Sequence, residues 1–318
     1  MNLHKRHALV QRTTLAVRNQ SYSPGFSRSI FALSLTLSSL ASAQNVTAAD
    51  PAKDSPRIQS SARSTPPPNT DQALEAAAKD AAQNPVSPAI SLPFQNNTFY
   101  GVGPYRRAEN GFIVEPVIPF KLSTNWAVVT RTIVPVIVIP RLSPAMRVDY
   151  GLGNIQPQFY FTPTHPGKIF WGAGGQLWLP TATDTMLGIN KWGGGPAFAG
   201  VLHKGHWLGG ALISNQFAGT RHRHVNELTA NPFVFFNMAQ GWYLISSSVI
   251  TADWTASRSD RWTVPLGAGF GRVFKVGDQA MNARTQLQND IRTTSGGPGW
   301  QLQFQLQLVF LPKKKTTD

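Results

Sequence analysis

The amino-acid sequence predicts an all-β protein, a transmembrane up-and-down antiparallel β-barrel of about twelve strands with a short helix before it. Three observations support this fold: an alternating last strand, a regular series of short and long polar connections, and Trp residues at predicted strand ends. No stretch after residue 43 approaches the roughly twenty apolar residues that a membrane-spanning helix needs. A barrel strand needs an apolar residue only at every second position, which fits a mean hydropathy of −0.17.

The last strand shows the alternation most clearly. One face carries Trp300, Leu302, Phe304, Leu306, Leu308 and Phe310, and the other carries Gln301, Gln303, Gln305 and Gln307. Alternation with a period of two residues indicates a strand. A soluble sheet would usually place charged residues and Thr on its polar face, whereas uncharged amides favour a strand between lipid and a wet lumen. We expect the terminal Phe310 to be the insertion signal for the barrel-assembly machinery.

The chain divides into five predicted segments. Residues 1–43 are predicted to be a signal peptide. Basic residues come first, an apolar run from Ile30 to Leu40 follows, and Ala41-Ser-Ala43 then provides a small-residue cleavage site, which is the order of a secretory signal. Residues 44–70 form a Pro/Ser-rich lead that we expect to be disordered. Residues 71–94 hold a helix from Asp71 to about Gln83 and a linker, either periplasmic or at the barrel mouth. The barrel covers residues 95–310, and residues 311–318 are a basic tail.

Polar connections divide the barrel segment at regular intervals. Five are short, near residues 123–125, 165–167, 203–205, 239–241 and 277–279. Six are longer, at residues 104–109, 139–150, 182–190, 218–226, 255–260 and 292–299. Short turns on one side and long loops on the other are typical of outer-membrane barrels. The eleven connections join twelve strands, or ten if residues 95–103 and their partner strand do not span the membrane.

The Trp residues are placed as two interfacial rings would require. Each of Trp126, Trp207 and Trp242 follows a short turn, and each of Trp192, Trp262 and Trp300 follows a long loop. An indole prefers the headgroup region because it is apolar and carries one N–H donor. These six residues are therefore predicted to lie at the two membrane interfaces.

The phase of the strands predicts which side chains line the lumen. An Arg at the middle of the bilayer costs about 2–4 kcal/mol, so Arg131 and Glu115, both among apolar neighbours, should turn inward and be able to pair. The same alternation turns a row of amides inward. The predicted lumen-lining residues are Glu115, Arg131, Asn154, Gln156, Gln158, Tyr160, Arg284, Gln286, Gln288, Gln301, Gln303, Gln305 and Gln307.

Charge and composition exclude several functions. Residues 1–43 hold five of the 29 Lys and Arg and none of the 15 Asp and Glu, so +9 of the +14 remains after cleavage. We expect no nucleic-acid partner, because the basic residues are scattered and no recognition helix carries them. The loop group Arg221, His222, Arg223 and His224 is predicted to be a solvated cationic rim. Asp184 and Asp260 could pair with it, or could bind divalent cations that bridge lipopolysaccharide.

No enzyme, metal or cofactor is expected. The chain has no Cys, which excludes thiolate ligands and disulfides. His203 and His206 flank a turn without a nearby carboxylate and make a poor zinc site. Outer-membrane lipid hydrolases need Ser and His within hydrogen-bond reach, and none of the seven His has a Ser two positions away. The Gly-rich runs lie within strands and so do not indicate dinucleotide binding.

Several motifs carry a family resemblance. They include Leu92-Pro-Phe-Gln-Asn-Asn97, Glu115-Pro-Val-Ile-Pro119, Thr130-Arg-Thr-Ile-Val-Pro135, Trp178-Leu-Pro-Thr-Ala-Thr183 and Lys191-Trp-Gly-Gly-Gly-Pro196. Over residues 84–310 the chain resembles a family of proteobacterial outer-membrane β-barrels that is grouped with a meta-pathway of phenol degradation. Its members are often labelled "neuromedin U" or "transporter". The resemblance implies uptake of aromatic compounds and brings no catalytic or substrate residues with it.

Three functions remain open at this point. The first, which we expect, is an outer-membrane channel or carrier for passive uptake of small solutes, aromatic or anionic. The alternatives are an outer-membrane lipid-modifying enzyme and a closed structural or adhesion barrel. The partners expected are outer-membrane lipid, lipopolysaccharide, the barrel-assembly machinery and a small-molecule solute.

Overall fold

The computed structural model describes residues 70–220 and 223–311. Helix α1 covers Thr70–Gln83. The strands are β1 Ile90–Val102, β2 Arg107–Val114, β3 Val117–Lys121, β4 Trp126–Ile139, β5 Asp149–Leu152, β6 Gln156–Pro163, β7 Ile169–Trp178, β8 Gly193–Lys204, β9 Trp207–Thr220, β10 Arg223–Asn237, β11 Trp242–Ser247, β12 Ile250–Asp253, β13 Trp262–Val276, β14 Gln279–Arg292 and β15 Trp300–Phe310. The predicted signal peptide, the lead before Thr70 and the tail from Pro312 lie outside the described residues, and so do Arg221 and His222.

The strands form one closed antiparallel barrel, which confirms the predicted fold class. Neighbouring strands follow the chain from β1 to β15, and β15 pairs with β1 along its whole length, from Ile90 opposite Phe310 to Tyr100 opposite Trp300. Short irregular stretches divide three of the barrel positions, so β2 and β3, β5 and β6, and β11 and β12 each count once. The barrel therefore has twelve strands, with one helix before it. In the part of the chain that the structure describes, no helix is both long and apolar enough to span a bilayer.

Five short connections lie where the sequence places them. Two are the tightest possible: Gly205 and His206 join β8 to β9, and Gly277 and Asp278 join β13 to β14. The backbone φ is +60° at Gly205 and +58° at Gly277, a left-handed conformation that Gly adopts without the strain of a Cβ. A Gly at the first central position is the usual solution for a two-residue hairpin turn.

Two predicted boundaries are wrong. The connection at residues 218–226 was expected to be a long loop, but β9 continues to Thr220 and β10 starts at Arg223, because the ladder between these strands continues past Ala218 and Val225. The barrel starts at Ile90 rather than Gln95, because residues 90–94 pair with residues 306–310 and complete the last strand. Pro93 obscured this start, since it has no N–H, but its carbonyl accepts a 3.0 Å hydrogen bond from the Glu115 amide.

The two faces of the barrel wall differ in chemistry. The outer face exposes large apolar side chains, among them Phe161, Phe198, Phe217, Leu266, Phe270, Leu287 and Phe304. Their neighbours in sequence point inward and are buried or half-buried amides, small residues and glycines. Along β14, for example, Leu287 is 53% exposed while the adjacent Gln286 is 1% exposed. Because successive side chains of a strand point to opposite faces, each strand supplies both surfaces.

Helix α1 lies inside the barrel at the end with the short turns. Its run of Ala has high helix propensity, and the helix ends before Pro85, where the amide of Asn84 donates to the Asp80 carbonyl at 2.8 Å. Ala78 and Ala81 are buried in one apolar cluster with inward-facing strand residues such as Phe235 and Val309. We call α1 together with residues 84–89 the plug.

One polar contact fixes the plug to the barrel wall. Gln83 donates from Nε2 to Asn237 Oδ1 at 2.8 Å, and Asn237 Nδ2 donates back to Gln83 Oε1 at 3.1 Å. Both side chains are buried, so this paired amide contact satisfies two groups that would otherwise be costly to bury. The predicted helix is thus confirmed, and its buried face packs against inward residues of the strands.

Candidate functional site

The inner face of β14 and β15 carries a connected row of amides. Gln286 Nε2 donates to Gln303 Oε1 at 2.7 Å, and Gln303 Nε2 donates to Asn97 Oδ1 at 3.1 Å. The same Gln286 accepts from the Ser247 amide at 3.0 Å, and Gln288 donates to the Ser247 carbonyl at 2.7 Å. Gln286 and Gln288 therefore satisfy the backbone N–H and C=O of Ser247, the last residue of β11. The row is held in position by its own hydrogen bonds.

A glycine allows Tyr243 to reach a second group of amides on the same two strands. A Cβ added at Gly271 would lie 2.3 Å from the Tyr243 hydroxyl oxygen, so only Gly leaves room for the ring there. The hydroxyl donates to Asn282 Oδ1 at 2.6 Å, and Asn282 Nδ2 donates to Gln307 Oε1 at 3.1 Å. Gln305 Nε2 also donates to Gln307, at 3.3 Å. The absent side chain at residue 271 therefore decides how β11, β14 and β15 are linked inside the barrel.

The neighbouring part of the wall, formed by β3 and β4, holds an ion pair. The Arg131 guanidinium donates to both carboxylate oxygens of Glu115, at 2.6 and 2.9 Å, and to Gln158 Oε1 at 3.0 Å. Glu115 lies in the bend between β2 and β3, which turns its carboxylate toward β4. The two side chains are only 18% and 16% exposed. A guanidinium bound through two parallel hydrogen bonds to a carboxylate is a strong, geometrically specific contact.

Arg284 lies on the inner face without such a partner. Its Nε is buried and has no hydrogen-bond partner among the described residues. The residue opposite it on β13 is Gly271, which has no side chain, and the residue opposite it on β15 is Gln305. The structure thus contains two inward arginines in different states, one neutralised by a carboxylate and one not.

A cavity of about 90 Å³ lies between the plug and these charged side chains. Its lining includes Glu115, Arg131 and Arg284 from the wall and Ala81 and Gln83 from the plug. We call Glu115, Arg131 and Arg284 the charged cluster. The plug and the charged cluster therefore line the same space within the barrel.

Three of the remaining predicted amides each have a side-chain partner. Gln158 donates to Gln176 at 3.0 Å and accepts from the Tyr160 hydroxyl at 3.1 Å. Gln156 accepts from Gln216 at 3.2 Å across the interior, since β6 and β9 are not neighbours in the barrel. Gln301 Nε2 donates to Asp290 Oδ1 at 2.5 Å.

Asn154 serves the loop between β7 and β8. Its Nδ2 donates to the carbonyls of Leu179 and Ile189, both at 2.6 Å, and its Oδ1 accepts from the Ile189 amide at 2.6 Å. The Thr181 hydroxyl donates to the Gly153 carbonyl at 2.9 Å. These contacts tie the loop to β5 and β6, so the amide of Asn154 is engaged by backbone and is not free for a solute.

The predicted interface aromatics lie at strand ends. Trp126, Trp207, Trp242, Trp262 and Trp300 are first residues of β4, β9, β11, β13 and β15, and Trp192 comes one residue before β8. Five of the six are exposed, whereas Trp262 is half-buried and contacts Trp254 edge-on. Phe310, the predicted insertion signal, is exposed at the end of β15.

The predicted cationic rim is only partly described. His224 is exposed, Arg223 begins β10, and Arg221 and His222 lie outside the described residues. Asp260 accepts from the Ser295 amide and hydroxyl at 2.8 and 2.7 Å, which joins two long loops. Within the described ranges, no group of three or more His, Cys, Asp or Glu is placed to hold a metal ion.

The sequence reasoning missed the apolar part of the interior. Phe233, Phe235 and Tyr243 turn inward and are buried with the plug. A signal was present, because Phe233-Val-Phe-Phe236 is apolar on both faces of β10. A barrel strand with two apolar faces must cover the inner one with another part of the chain. Gln176 and Gln216 were also missed, since each lies among glycines or alternating apolar residues.

Comparison with known proteins identifies the fold. No family model matches the chain, and no curated protein matches it. The crystal structure of an outer membrane channel from Pseudomonas putida F1 is similar, with a TM-score of 0.54 and 14% identity over 70% of this chain and 95% of that chain. The NanC porin has a TM-score of 0.46 at 6% identity, over 70% of this chain and all of its own. The CymD monoaromatic hydrocarbon channel has a TM-score of 0.37 at 8% identity, over 73% of this chain and 91% of that chain.

These similarities concern the fold alone. The first of them shares the barrel architecture over nearly its whole length, and the two lower scores add nothing to that argument. The family resemblance carried by the sequence motifs stays a prediction.

Proposed function

We propose that this protein is an outer-membrane channel for passive movement of small solutes, aromatic or anionic. The observation that carries the proposal is a closed barrel whose outer face is apolar and whose inner face carries buried amides and charges beside an apolar patch that the plug covers. An apolar band outside and a polar interior are what a bilayer and a wet pathway require. The channel fold of the Pseudomonas putida F1 structure supports the same reading.

The plug sets the expected size of the pathway. Ala78 and Ala81 pack against inward strand residues at the short-turn end, and Gln83 is bonded to Asn237. A solute that crosses the barrel has to pass this segment. We therefore expect small solutes to pass at a low rate, and larger ones to require displacement of the plug.

The position of the plug gives a direct test. Ala78 is buried and Ala77, its neighbour on the same helix, is exposed. Replacing Ala78 by Glu puts a charge into an apolar contact, which is costly without a partner. We expect A78E to raise the conductance of the protein in planar bilayers well above that of the wild type.

The control is Ala77→Glu, which adds the same charge to the exposed face and should leave the conductance unchanged. Heat-dependent migration on a gel would establish that both variants fold as barrels. No conductance in either variant or in the wild type would contradict the channel and favour a closed structural barrel. Equal conductance of A78E and A77E would show that the plug does not limit the pathway.

A further inference from the structure

The charged cluster is not neutral. Two guanidinium groups and one carboxylate line the cavity behind the plug, and Glu115 is the only carboxylate among the described residues of that lining. Arg131 occupies both oxygens of Glu115. Arginine stays charged at any pH that a folded protein tolerates. One positive charge, on Arg284, is therefore left without a counter-ion among the residues described.

Two acceptors near Arg284 are engaged elsewhere. Gln286 Oε1 accepts a hydrogen bond from the Ser247 amide rather than from Arg284. Asn282 Oδ1 accepts a hydrogen bond from the Tyr243 hydroxyl. The opposite position on β13 is Gly271, which offers no side chain. The Nε of Arg284 is buried without a partner among the described residues. An ionised group away from bulk water without a partner is costly, so in folded proteins such a group is met by water or by an anion.

The volume of the cavity limits what that anion can be. The space of about 90 Å³ is several times the roughly 10–15 Å³ that one water needs. It is smaller than the roughly 150 Å³ of an apolar cavity that accepts benzene. The space therefore suits a carboxylate with one or two carbons better than an aromatic ring.

The planar geometry of the Arg284 guanidinium also favours a carboxylate. A guanidinium offers planar, parallel donors that match the two oxygens of a carboxylate, and such bonds are stronger than neutral ones. The cavity is also lined by Ala81, Phe233 and Phe235, which give the apolar end of a short acid a surface to contact.

We propose that Arg284 and the cavity behind the plug form a binding site for a small monoanionic carboxylate. This inference rests on the proposed function only for the route by which the anion arrives, because binding itself can be measured without transport. Arg131 has no part in capturing the anion, since Glu115 already neutralises it. Arg131 thus has a structural role in the pair with Glu115, and Arg284 has the ligand-binding role.

The probe for the test is trifluoroacetate, which is close to acetate in shape and is followed by fluorine NMR. Detergent-solubilised full-length protein should broaden its signal in a saturable way. Arg284→Gln should weaken this binding by about tenfold or more, the loss expected for charge-assisted hydrogen bonds. The matched control is Arg272→Gln on β13, where the side chain is exposed on the outer face beside Trp242 and the charge change is the same.

Several results would overturn the site. These are no saturable broadening with the wild type, equal binding by R284Q and the wild type, or equal broadening of neutral trifluoroacetamide. If R284Q fails to fold, as judged by heat-dependent migration, Glu115→Gln supplies the test: it frees Arg131 and should tighten trifluoroacetate binding. Unchanged or weaker binding by E115Q would then refute the site.

The same preparations separate this inference from the proposed function. Conductance without saturable trifluoroacetate binding would leave the channel standing and remove the site. Saturable binding that depends on Arg284, in a protein without conductance, would leave the site standing and remove the channel.

Discussion

The two ends of the barrel interior differ although the same strands build both. At the short-turn end the inward residues are apolar, such as Phe235 on β10 and Val309 on β15, and they pack against the plug. Further along the same strands the inward residues are polar, such as Asn231 and Gln305. The residues on both sides of this change, Asn231, Phe233 and Gln305, line the cavity beside the plug. An inner row that turns from amides to apolar residues marks the part of a barrel that is filled by its own chain.

The two ends also differ in how they are held. The apolar end is stabilised by removal of surface from water, which has no directional requirement. The polar part is stabilised by hydrogen bonds between fixed partners, and each partner is costly to leave unpaired. Three further experiments test this comparison, in order of decreasing expected effect.

The largest effect is expected at the apolar end. Phe235 is 3% exposed and contacts Phe233 and Tyr243. Replacing it by Ala removes a buried ring and should lower the free energy of unfolding by about 3–5 kcal/mol, measured by denaturant titration in lipid vesicles. Val234→Ala, on the exposed face of the same strand, should have a much smaller effect. Equal losses would mean that the plug does not cover this surface.

A smaller loss is expected in the polar part. Glu115→Gln leaves Arg131 without its counter-ion and should cost about 1.5–3 kcal/mol, the scale of hydrogen bonds to charged groups. Adding Arg131→Gln should recover part of this loss, because the uncompensated charge is then gone. A double variant whose loss of stability exceeds the sum of the two single losses would contradict the ion pair as a unit. The measurement is the same denaturant titration.

The smallest effect is a pH dependence of the plug. Burial raises the pKa of Asp80 above 3.8, against the lowering effect of hydrogen bonds from Asn84 and Ser87 and of the nearby His203. Protonation therefore favours the docked state. This stabilisation is fully present below 3.8 and is lost as the pH rises through the raised pKa of docked Asp80.

Bilayer conductance measured at successive pH values checks this prediction. We expect the conductance to fall as the pH is lowered through the window just above 3.8, because the plug is then held more tightly. Asp80→Asn has no charge to lose there, so its conductance should stay flat over the same window. A wild-type conductance that rises on acidification would reverse the sign of the argument.

Much of the fold could be predicted because its signals are local. The period of two along β15 predicts both the strand and its faces, and the turns at Gly205 and Gly277 need only the residues of the turn itself. Prolines and glycines weakened this signal, so the start of β1 at Ile90 and the continuous pairing of β9 with β10 were missed. Ladder pairing decides both, and pairing depends on a partner strand elsewhere in the sequence.

The sequence by itself determined that this chain forms a barrel with an amide-lined interior, because alternation of side chains is a property of each strand. Only the tertiary structure decided which inward side chains meet. Gln83 and Asn237 pair across 154 positions, and Gln156 and Gln216 pair across 60. Closure of the barrel sets those distances. No local pattern records them, because a contact across the interior depends on how all twelve strands are arranged.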